Sequence, residues 1–215
     1  MNQLSCGLDM ISLAADWLLS VANTNAFTYE IAPVFVVTEG IVLAKLRTFI
    51  GWENPVKSGD GIFSPGGSVN NFIAGTLARS FANKDIKRKG IYCTVDKPLV
   101  MFVSSHAHYS NKRMGVLMGI GLDNVVSVPV SKNGKMDPVE LKKLVQQSID
   151  NGKKPFLVVA TSGTTVRGAF DPLEEISEIC TEFKLWLHVD AAWGGAVLMS
   201  RKYRYLMRGI EKADS

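Results

Sequence analysis

Cysteine and histidine are scarce in this sequence, and long apolar runs are absent from it. The 215 residues include three cysteines, Cys6, Cys93 and Cys180. Because their number is odd and they lie far apart in the sequence, they do not indicate a disulfide-stabilised scaffold. Three histidines, with no cysteine cluster beside them, leave few ligands for a metal. No apolar run has membrane-spanning length, and no charged leader precedes a hydrophobic segment, which argues against an anchor or a signal peptide. We therefore expect a reducing, cytoplasmic location.

The charge is also too evenly spread to indicate a nucleic-acid partner. Lysine and arginine total 24 against 20 acidic residues, a formal net charge of +4. The basic clusters at Lys84–Lys89 and Arg201–Arg204 are typical of solvated helix ends. With 47% hydrophobic and 20% charged residues, the composition is that of an ordinary soluble globular protein with a substantial core.

The pattern of apolar residues changes along the chain. Apolar residues recur at helical spacing from Leu8 to Ala22, and a second helix is expected from about Pro33 to Ile50. After residue 66, apolar runs predict strands at 98–104, 125–130, 155–160 and 185–189, with helical patterns between them. This alternation predicts an α/β fold, with a mostly parallel sheet and helices on both of its faces.

Two of the later helices begin with the same four-residue pattern. Asp137-Pro138-Val139-Glu140 predicts an N-cap, a proline at the first helical position and a capping box, and Asp171-Pro172-Leu173-Glu174 repeats it. The side chains expected to face the core are Leu141, Leu144, Val145 and Ile149 in the first helix, and Leu173, Ile176, Ile179 and Phe183 in the second.

The segment His188–Gly195 places Asp190 at the end of a continuous apolar strand. Ligands bind at the carboxyl edge of a parallel sheet, and an anion buried there needs a cationic partner. Three partners are compatible with the sequence. One is an Arg or Lys, another is a metal ion held with the help of His188 or by His106 and His108, and the third is the protonated ring nitrogen of a cofactor.

Three loops are expected at the same edge of the sheet. Ser64–Asn71 leads from a glycine pair into a helix beginning near Asn70, either as a simple tight turn or as a cradle for a phosphate. Ser105–Ser110 presents a histidine that is suited either to a main-chain carbonyl or to the face of a planar ligand. Thr161–Thr165 is a small hydroxylated loop whose hydroxyls either cap the turn or meet a ligand.

Taken together, these segments resemble the pyridoxal-phosphate decarboxylases of the glutamate decarboxylase and cysteine sulfinate decarboxylase group. The resemblance covers essentially the whole chain. The matching segments are Asn2–Ser5, Asn23–Phe35, Asp60–Gly67, His108–Ser110, Ala160–Thr165 and Trp186–Gly195. It implies a large domain of fold type I, with residues 1–65 as an N-terminal helical segment with substrate-side loops and residues 66–215 as part of the cofactor-binding α/β domain.

The resemblance also assigns cofactor-binding roles. It implies that Asp190 pairs with the protonated pyridine nitrogen of pyridoxal phosphate, which keeps the ring able to accept electrons. It implies that His108 stacks on the ring and acts as a catalytic residue in proton transfer. The residues it implies for the phosphate are Gly67, Ser68 and Val69, held through their main chain, and those near the ring or its 3′ oxygen are Thr161 and Ala192.

The substrate-side roles follow from the same resemblance. Gln3 and Ser5 match a stretch that contacts the substrate carboxylate, and Phe27 lies in a segment that shapes the substrate pocket. The substrate class is a small acidic amino acid, and the intact enzyme is expected to be a homodimer. Phe27–Glu30 and Ala191–Trp193 are closer to glutamate decarboxylases, whereas the segments Ala160–Thr165 and Ala213–Ser215 are closer to the cysteine sulfinate and aspartate enzymes. The sequence leans slightly towards glutamate.

One family motif has no counterpart in the sequence. In the family, the reactive lysine follows an Asn-Pro-His-Lys motif shortly after Ala-Asp-Ser, whereas this sequence ends at Ala213–Ser215. None of its lysines is therefore given the role of forming the Schiff base. Two hypotheses follow: the chain is a truncated large domain of an active decarboxylase, or it is a catalytically inactive product that serves as a binding or dimerisation module.

Overall fold

A parallel sheet of four strands organises residues 64–215 of the computed structural model. The structure describes residues 7–23, 25, 27–52, 60–92 and 96–215. The strands are β1 (Leu99–Ser104), β2 (Val125–Val128), β3 (Lys154–Thr161) and β4 (Trp186–Asp190). They lie in the order β2-β1-β3-β4, and all three neighbouring pairs are parallel. The predicted α/β class and parallel sheet are therefore confirmed.

The helices fill the intervals between the strands, as the sequence predicts. They are α1 (Met10–Ala22), α2 (Pro33–Ile50), α3 (Gly67–Ala82), α4 (Ile86–Lys89), α5 (Ser110–Leu117), α6 (Pro138–Asp150) and α7 (Leu173–Phe183). Short 3-10 helices occupy Leu122–Asn124, Gly195–Met199, Arg204–Met207 and Ile210–Lys212. The helix expected near Asn70 begins three residues earlier, at Gly67.

The order of the strands creates a switch point beside β1. The chain passes from β1 to β2 on one side, and then returns across β1 to form β3 and β4 on the other. Loops after strands that turn to opposite sides diverge and leave a crevice at the carboxyl edge of the sheet, which is where α/β proteins bind ligands. The sheet therefore offers a crevice beside β1, where the segments after β1 and β3 separate.

Helices cover both faces of the sheet. Leu99, Met101 and Val103 of β1 pack with Leu157 and Val159 of β3 in one cluster, because alternate side chains of a strand share a face. Ala78 of α3, Met114 of α5 and Met118 at the C-cap of α5 belong to the same cluster. Helix α6 contacts β1, β2 and β3, and α7 contacts β3 and β4, without contributing to the cluster, so they cover the opposite face. The predicted two-sided covering is confirmed.

The two predicted helix starts behave differently. Asp137 caps α6, and its carboxylate accepts hydrogen bonds from the N–H groups of Val139 and Glu140. The return bond of a capping box is missing, because the Glu140 carboxylate pairs with Lys143 and the Asp137 N–H donates to the Pro129 carbonyl. The predicted N-cap is therefore confirmed, while the box is only half formed.

The second predicted cap is wrong. Helix α7 begins after Pro172, and no side chain caps it. The Asp171 carboxylate points back into the protein and accepts from the N–H groups of Met136 and Thr161, both at 2.7 Å. These long-range bonds satisfy a buried carboxylate better than a solvent-facing cap does. The predicted inward face of α7 is buried at Leu173, Ile176 and Ile179, and Phe183 is half-buried.

The inward face of α6 is narrower than expected. Leu141 and Val145 are fully buried, and Leu144 is half-buried, as predicted. Ile149 is exposed, and Ser148 is buried in its place, with its hydroxyl donating to the Leu144 carbonyl. Because the hydroxyl satisfies itself on the helix backbone, a small polar residue is able to occupy the buried position near the end of α6.

Residues Met1–Phe63 form a separate unit. Helices α1 and α2 confirm the two helices expected here, and Asp9 caps α1 through the Ser12 N–H. Neither helix has a buried residue, and large apolar side chains such as Trp17 and Leu18 are exposed. The apolar stripe that the sequence predicts for α1 is therefore exposed among the residues that the structure describes. None of the helices described is long and apolar enough to cross a membrane.

Candidate active site

Three strand ends and one helix start meet at the carboxyl edge of the sheet. Thr161 at the end of β3 is paired in register with Asp190 at the end of β4. The segment after β1 leads through His108 to Ser110 at the start of α5, and α3 brings Asn71. Hydrogen bonds join Asn71 both to Ser110 and to Asp190. Residues distant in sequence thus form one polar cluster in a largely buried environment.

Asp190 is buried and is bonded by neutral donors on both carboxylate oxygens. Its side chain receives the Asn71 amide on Oδ2 at 2.9 Å and the Ala192 N–H on Oδ1 at 3.2 Å. None of the ion pairs within the described part of the chain includes Asp190. Two neutral hydrogen bonds orient a carboxylate but do not neutralise its charge, and none of the described residues forms an ion pair that would do so.

Asn71 is the link that the sequence reasoning did not identify. The residue is buried on α3, and its amide nitrogen donates to Ser110 Oγ at 3.0 Å as well as to Asp190. Its amide oxygen meets His188 Nε2 at 3.0 Å. The reverse orientation of the amide would place its oxygen against the Asp190 carboxylate, so the network fixes the orientation.

His188 continues the network away from Asp190. Its Nδ1 lies 3.1 Å from Ser215 Oγ, which also accepts the Trp186 indole N–H at 2.8 Å. Burial lowers the pKa of His188, an effect that the nearby Asp190 charge only partly opposes. The imidazole is therefore neutral near pH 7, and its two ring nitrogens have different roles: one donates and the other accepts.

His108 lies at the other end of the network. Its Nδ1 is 2.8 Å from Ser110 Oγ and also accepts the Ser110 N–H at 3.3 Å. The ring is tilted against Tyr109, with a centroid separation of 4.1 Å. The Ser110 hydroxyl accepts from Asn71, so its own hydrogen is available to His108 Nδ1. The structure thus connects His108 to Asp190 through two intervening side chains.

Thr161 brings an unpaired hydroxyl to the same edge. Its Oγ1 is buried and has no hydrogen-bond partner within the described residues, whereas its N–H is held by Asp171. Burial raises the pKa of Asp171, against the lowering effect of its bonds from Met136 and Thr161. Asp171 therefore anchors the end of β3, and the Thr161 hydroxyl keeps a hydrogen-bonding capacity that none of the described residues uses.

Backbones pack directly against each other behind Asp190. Gly163 has a φ of +89°, and a Cβ there would lie 2.7 Å from the Gly194 nitrogen. The Gly194 N–H donates to the Ser162 carbonyl at 2.9 Å. Glycine at both positions allows the loop after β3 and the loop after β4 to touch, and this contact sets the position of Asp190 relative to Thr161.

The glycine loop before α3 approaches the same loop from the other side. A Cβ on Gly67 would lie 3.3 Å from the Ala192 Cβ. The first N–H to bond within this turn is that of Val69, which donates to the Gly66 carbonyl at 3.0 Å. The N–H groups of Gly67 and Ser68 precede it, at the positive end of the helix dipole. The helix start therefore presents donors suited to an anion next to Ala192.

The structure narrows the three sequence-compatible partners of Asp190. No arginine or lysine pairs with it within the described part of the chain, and no metal-binding cluster of His, Cys, Asp or Glu occurs there. His188 is committed to Asn71 and Ser215. The arrangement is compatible with the third alternative, a protonated heteroaromatic nitrogen.

The remaining predicted site residues lie elsewhere in the chain. Gln3 and Ser5 fall outside the described residues. Phe27 belongs to the unit Met1–Phe63 and is exposed.

Asn71 carried a weak signal in the sequence: it is a polar residue one turn inside an apolar helix, which is a position that needs a buried partner. Ser110 gave no comparable signal.

A scan against family models matches the whole chain. The model of the pyridoxal-dependent decarboxylase conserved domain aligns with residues 1–215. Its span includes every segment of the cluster described above and the N-terminal unit.

Solved structures of similar proteins agree in fold. Mouse cysteine sulfinic acid decarboxylase (CSAD) is 47% identical, with a TM-score of 0.93 over 99% of this chain and 44% of that one. The glutamate decarboxylase domain of a Vibrio parahaemolyticus diaminobutyrate-pyruvate transaminase and L-2,4-diaminobutyrate decarboxylase is 28% identical, with a TM-score of 0.91 over 99% and 46%. Catharanthus roseus tryptophan decarboxylase is 26% identical, with a TM-score of 0.82 over 96% and 43%. The chain thus spans less than half the length of these proteins.

Proposed function

The chain belongs to the pyridoxal-dependent decarboxylase family, and on this premise we propose that the whole protein removes the α-carboxylate of a small acidic amino acid. The family's cofactor is pyridoxal phosphate. The chain covers 44% of mouse CSAD, so the reaction is assigned to the full-length protein, of which these residues form a part.

The residues at the carboxyl edge fit the cofactor in three respects. Pyridoxal phosphate has a ring nitrogen that is cationic when protonated, a planar face and a phosphate. Asp190 supplies a buried carboxylate without a cationic partner among the described residues. The start of α3 supplies the N–H groups of Gly67 and Ser68, and Thr161 supplies a buried hydroxyl without a partner in the described part of the chain. The donor set thus matches a ring and a phosphate better than it matches a metal.

Each of these residues has a defined task in the proposed reaction. When bound, the cofactor supplies an electron sink for the electrons left on the substrate when carbon dioxide departs. Asp190 would hold the proton on the ring nitrogen, and the Asn71 and Ala192 donors fix its direction. His108 would lie at the ring and take part in proton transfer. The α3 start, including Gly67, Ser68 and Val69, would hold the phosphate, and Ala192 would pack beside the ring.

The observation that carries this proposal is the environment of Asp190. Burying a carboxylate without a counter-charge is costly. The buried Asp171 has the charge of Lys135 nearby in addition to its two N–H donors, whereas the donors that the described residues give to Asp190 are all neutral. A protonated pyridine nitrogen supplies the missing positive charge. The same interaction gives the buried acid a chemical task, since it keeps the ring protonated.

Cysteine sulfinate is the substrate that we propose first. Mouse CSAD shares 47% identity with this chain, whereas the glutamate decarboxylase domain from Vibrio parahaemolyticus shares 28%. This difference outweighs the slight leaning of the sequence motifs towards glutamate. The expected contacts of Gln3 and Ser5 with the substrate carboxylate, and of Phe27 with the pocket, remain part of the proposal.

A substrate panel tests the proposed reaction. The full-length protein, loaded with pyridoxal phosphate, is expected to release carbon dioxide from L-cysteine sulfinate with the highest kcat/KM, ahead of L-glutamate and L-aspartate. L-tryptophan, the ligand in the Catharanthus roseus structure, is the negative control. Release from glutamate alone would correct the substrate. No release from any acidic amino acid would contradict the proposed reaction, and retained cofactor binding in that case would favour the binding module.

Homodimerisation and a cytoplasmic location complete the proposal. The large exposed apolar side chains of α1 and α2 support a partner surface, since contiguous apolar surface is typical of interfaces. The scarcity and wide spacing of the cysteines support a reducing compartment.

A further inference from the structure

We propose that Asn71 is the positioning residue of this site: it fixes the direction of the Asp190 carboxylate, places the proton of His188 on Nε2 and, through Ser110, directs a hydroxyl hydrogen to His108 Nδ1. The inference rests on the proposed function only in so far as Asp190 meets the cofactor. The hydrogen-bond assignment itself depends on the contacts of the protein alone.

The direction of the hydrogen bonds at Asn71 follows from the groups at the two ends of the network. The Trp186 indole N–H is only a donor, so Ser215 Oγ accepts from it. The Asp190 carboxylate is only an acceptor, so Asn71 turns its nitrogen towards it and its oxygen towards His188. His188 Nε2 must therefore carry a hydrogen.

The neutral state of His188 then fixes its other nitrogen. In a neutral ring its Nδ1 has no proton and accepts the hydrogen of the Ser215 hydroxyl, whose oxygen accepts the Trp186 N–H. Each atom along this branch has a partner of the opposite kind. The partners fix the Nε2 end of this branch, because a reversed Asn71 amide would bring two acceptors together at Asp190. The Nδ1 end depends on the neutral state of the ring, since the Ser215 hydroxyl is able both to donate and to accept.

The second branch leads from Asn71 to His108. The second amide hydrogen of Asn71 is donated to Ser110 Oγ, so the Ser110 hydroxyl hydrogen turns to His108 Nδ1. The Ser110 N–H is directed to the same nitrogen. With two donors on Nδ1, a neutral His108 carries its proton on Nε2, and this N–H remains available for the chemistry proposed for the residue.

The location of Asn71 on α3 explains how a single side chain aligns the phosphate-binding end of the helix with Asp190. Gly67 and Asn71 are four residues apart, so they lie on the same face of the helix, roughly 6 Å apart along its axis. Gly67 lies against Ala192, while Asn71 bonds Asp190. The helix therefore meets the loop after β4 at two points, and the N–H groups proposed for the phosphate are held in register with the carboxylate proposed for the ring nitrogen.

Histidine ¹⁵N spectra of the full-length apoprotein test the assignment without substrate or cofactor. The expected spectrum has a pyrrole-like Nε2 and a pyridine-like Nδ1 for His188, identified by the signal that disappears in His188→Asn. A neutral His188 with its proton on Nδ1 would overturn the proposal. This measurement is made on the wild-type protein, so it decides even where a variant does not fold.

Two substitutions of Asn71 separate its roles. Asn71→Leu removes all three hydrogen bonds while keeping the number and branching of the side-chain heavy atoms, and Asn71→Asp keeps an oxygen for His188 but removes the amide donors to Asp190 and Ser110. Both are expected to weaken binding of pyridoxal phosphate by roughly 10- to 100-fold, by analogy with the loss of other outer-shell partners. Only Asn71→Leu is expected to disturb the His188 tautomer. A purely structural role predicts no such difference.

An exposed asparagine provides the matched control. Asn151 lies at the end of α6, and Asn151→Asp makes the same chemical change away from the network. It should bind the cofactor as the wild type does. Wild-type cofactor affinity in both Asn71 variants would overturn the positioning role even if decarboxylation is normal. Failure of decarboxylation in the wild type, with the expected spectra and affinities, would instead contradict the proposed reaction alone.

Discussion

Asp190→Asn in the full-length protein is expected to lower kcat/KM by roughly two to four orders of magnitude, the equivalent of the ~3–5 kcal/mol lost when one partner of a buried ion pair is removed. The asparagine has almost the same volume but no charge, so it does not hold a proton on the ring nitrogen. It also offers a single acceptor oxygen to the two donors of Asn71 and Ala192. Decarboxylation rates measured with saturating cofactor would show the loss.

The matched control for this change is Asp123→Asn. Asp123 is exposed and lies in the 3-10 helix that precedes β2, at the amino edge of the sheet, opposite to the site. This variant should keep wild-type kinetics. A tenfold change in kcat/KM corresponds to about 1.4 kcal/mol. If Asp190→Asn retains kcat/KM within about tenfold of wild type, the carboxylate does not stabilise the cationic ring and its role is structural.

Phe102→Ala is expected to have the largest effect on stability. Phe102 lies in β1, between β2 and β3, and its side chain is fully buried. Removing a buried phenyl ring costs about 3–5 kcal/mol, because it loses burial and leaves a cavity that the rigid sheet does not close. The expected result is a clear drop in the denaturant midpoint of the full-length protein and in its soluble yield.

Phe81→Ala is the control with the same atoms removed. Phe81 is 69% exposed on α3 and contacts Trp186 edge-to-face, with centroids 5.5 Å apart. Its loss should cost about 1 kcal/mol or less, the size of an aromatic pair contact. Equal midpoints for the two variants would show that β1 is not the centre of the core.

The strands and most helices of residues 64–215 are predictable from the sequence, because the spacing of their apolar residues matches the faces that are buried. An apolar run such as Pro155–Ala160 leaves little choice but a strand covered on both faces, and β3 extends it by one residue at each end. Local patterns failed where a distant partner competed. Asp171 has the sequence of an N-cap, yet its carboxylate is drawn to the N–H groups of Met136 and Thr161, which no local pattern reveals.

The site shows the same division. Asp190 is identifiable from the sequence because it ends an apolar strand at the carboxyl edge of the sheet. Asn71 is not identifiable in this way, since its partners His188 and Asp190 lie 117 and 119 residues further along the chain. Its one weak signal, a polar residue inside an apolar helix, does not say which groups it bonds. Only the tertiary structure brings these polar groups within hydrogen-bonding distance.

The contact between Asp190 and the cofactor is the claim on which this account depends. A crystal structure of the full-length protein with pyridoxal phosphate measures it directly. The expected result is the Asp190 carboxylate within hydrogen-bonding distance of the ring nitrogen, with the Asn71 amide still on Oδ2. A carboxylate paired instead with an arginine or lysine, with no aromatic ring beside it, would contradict the account.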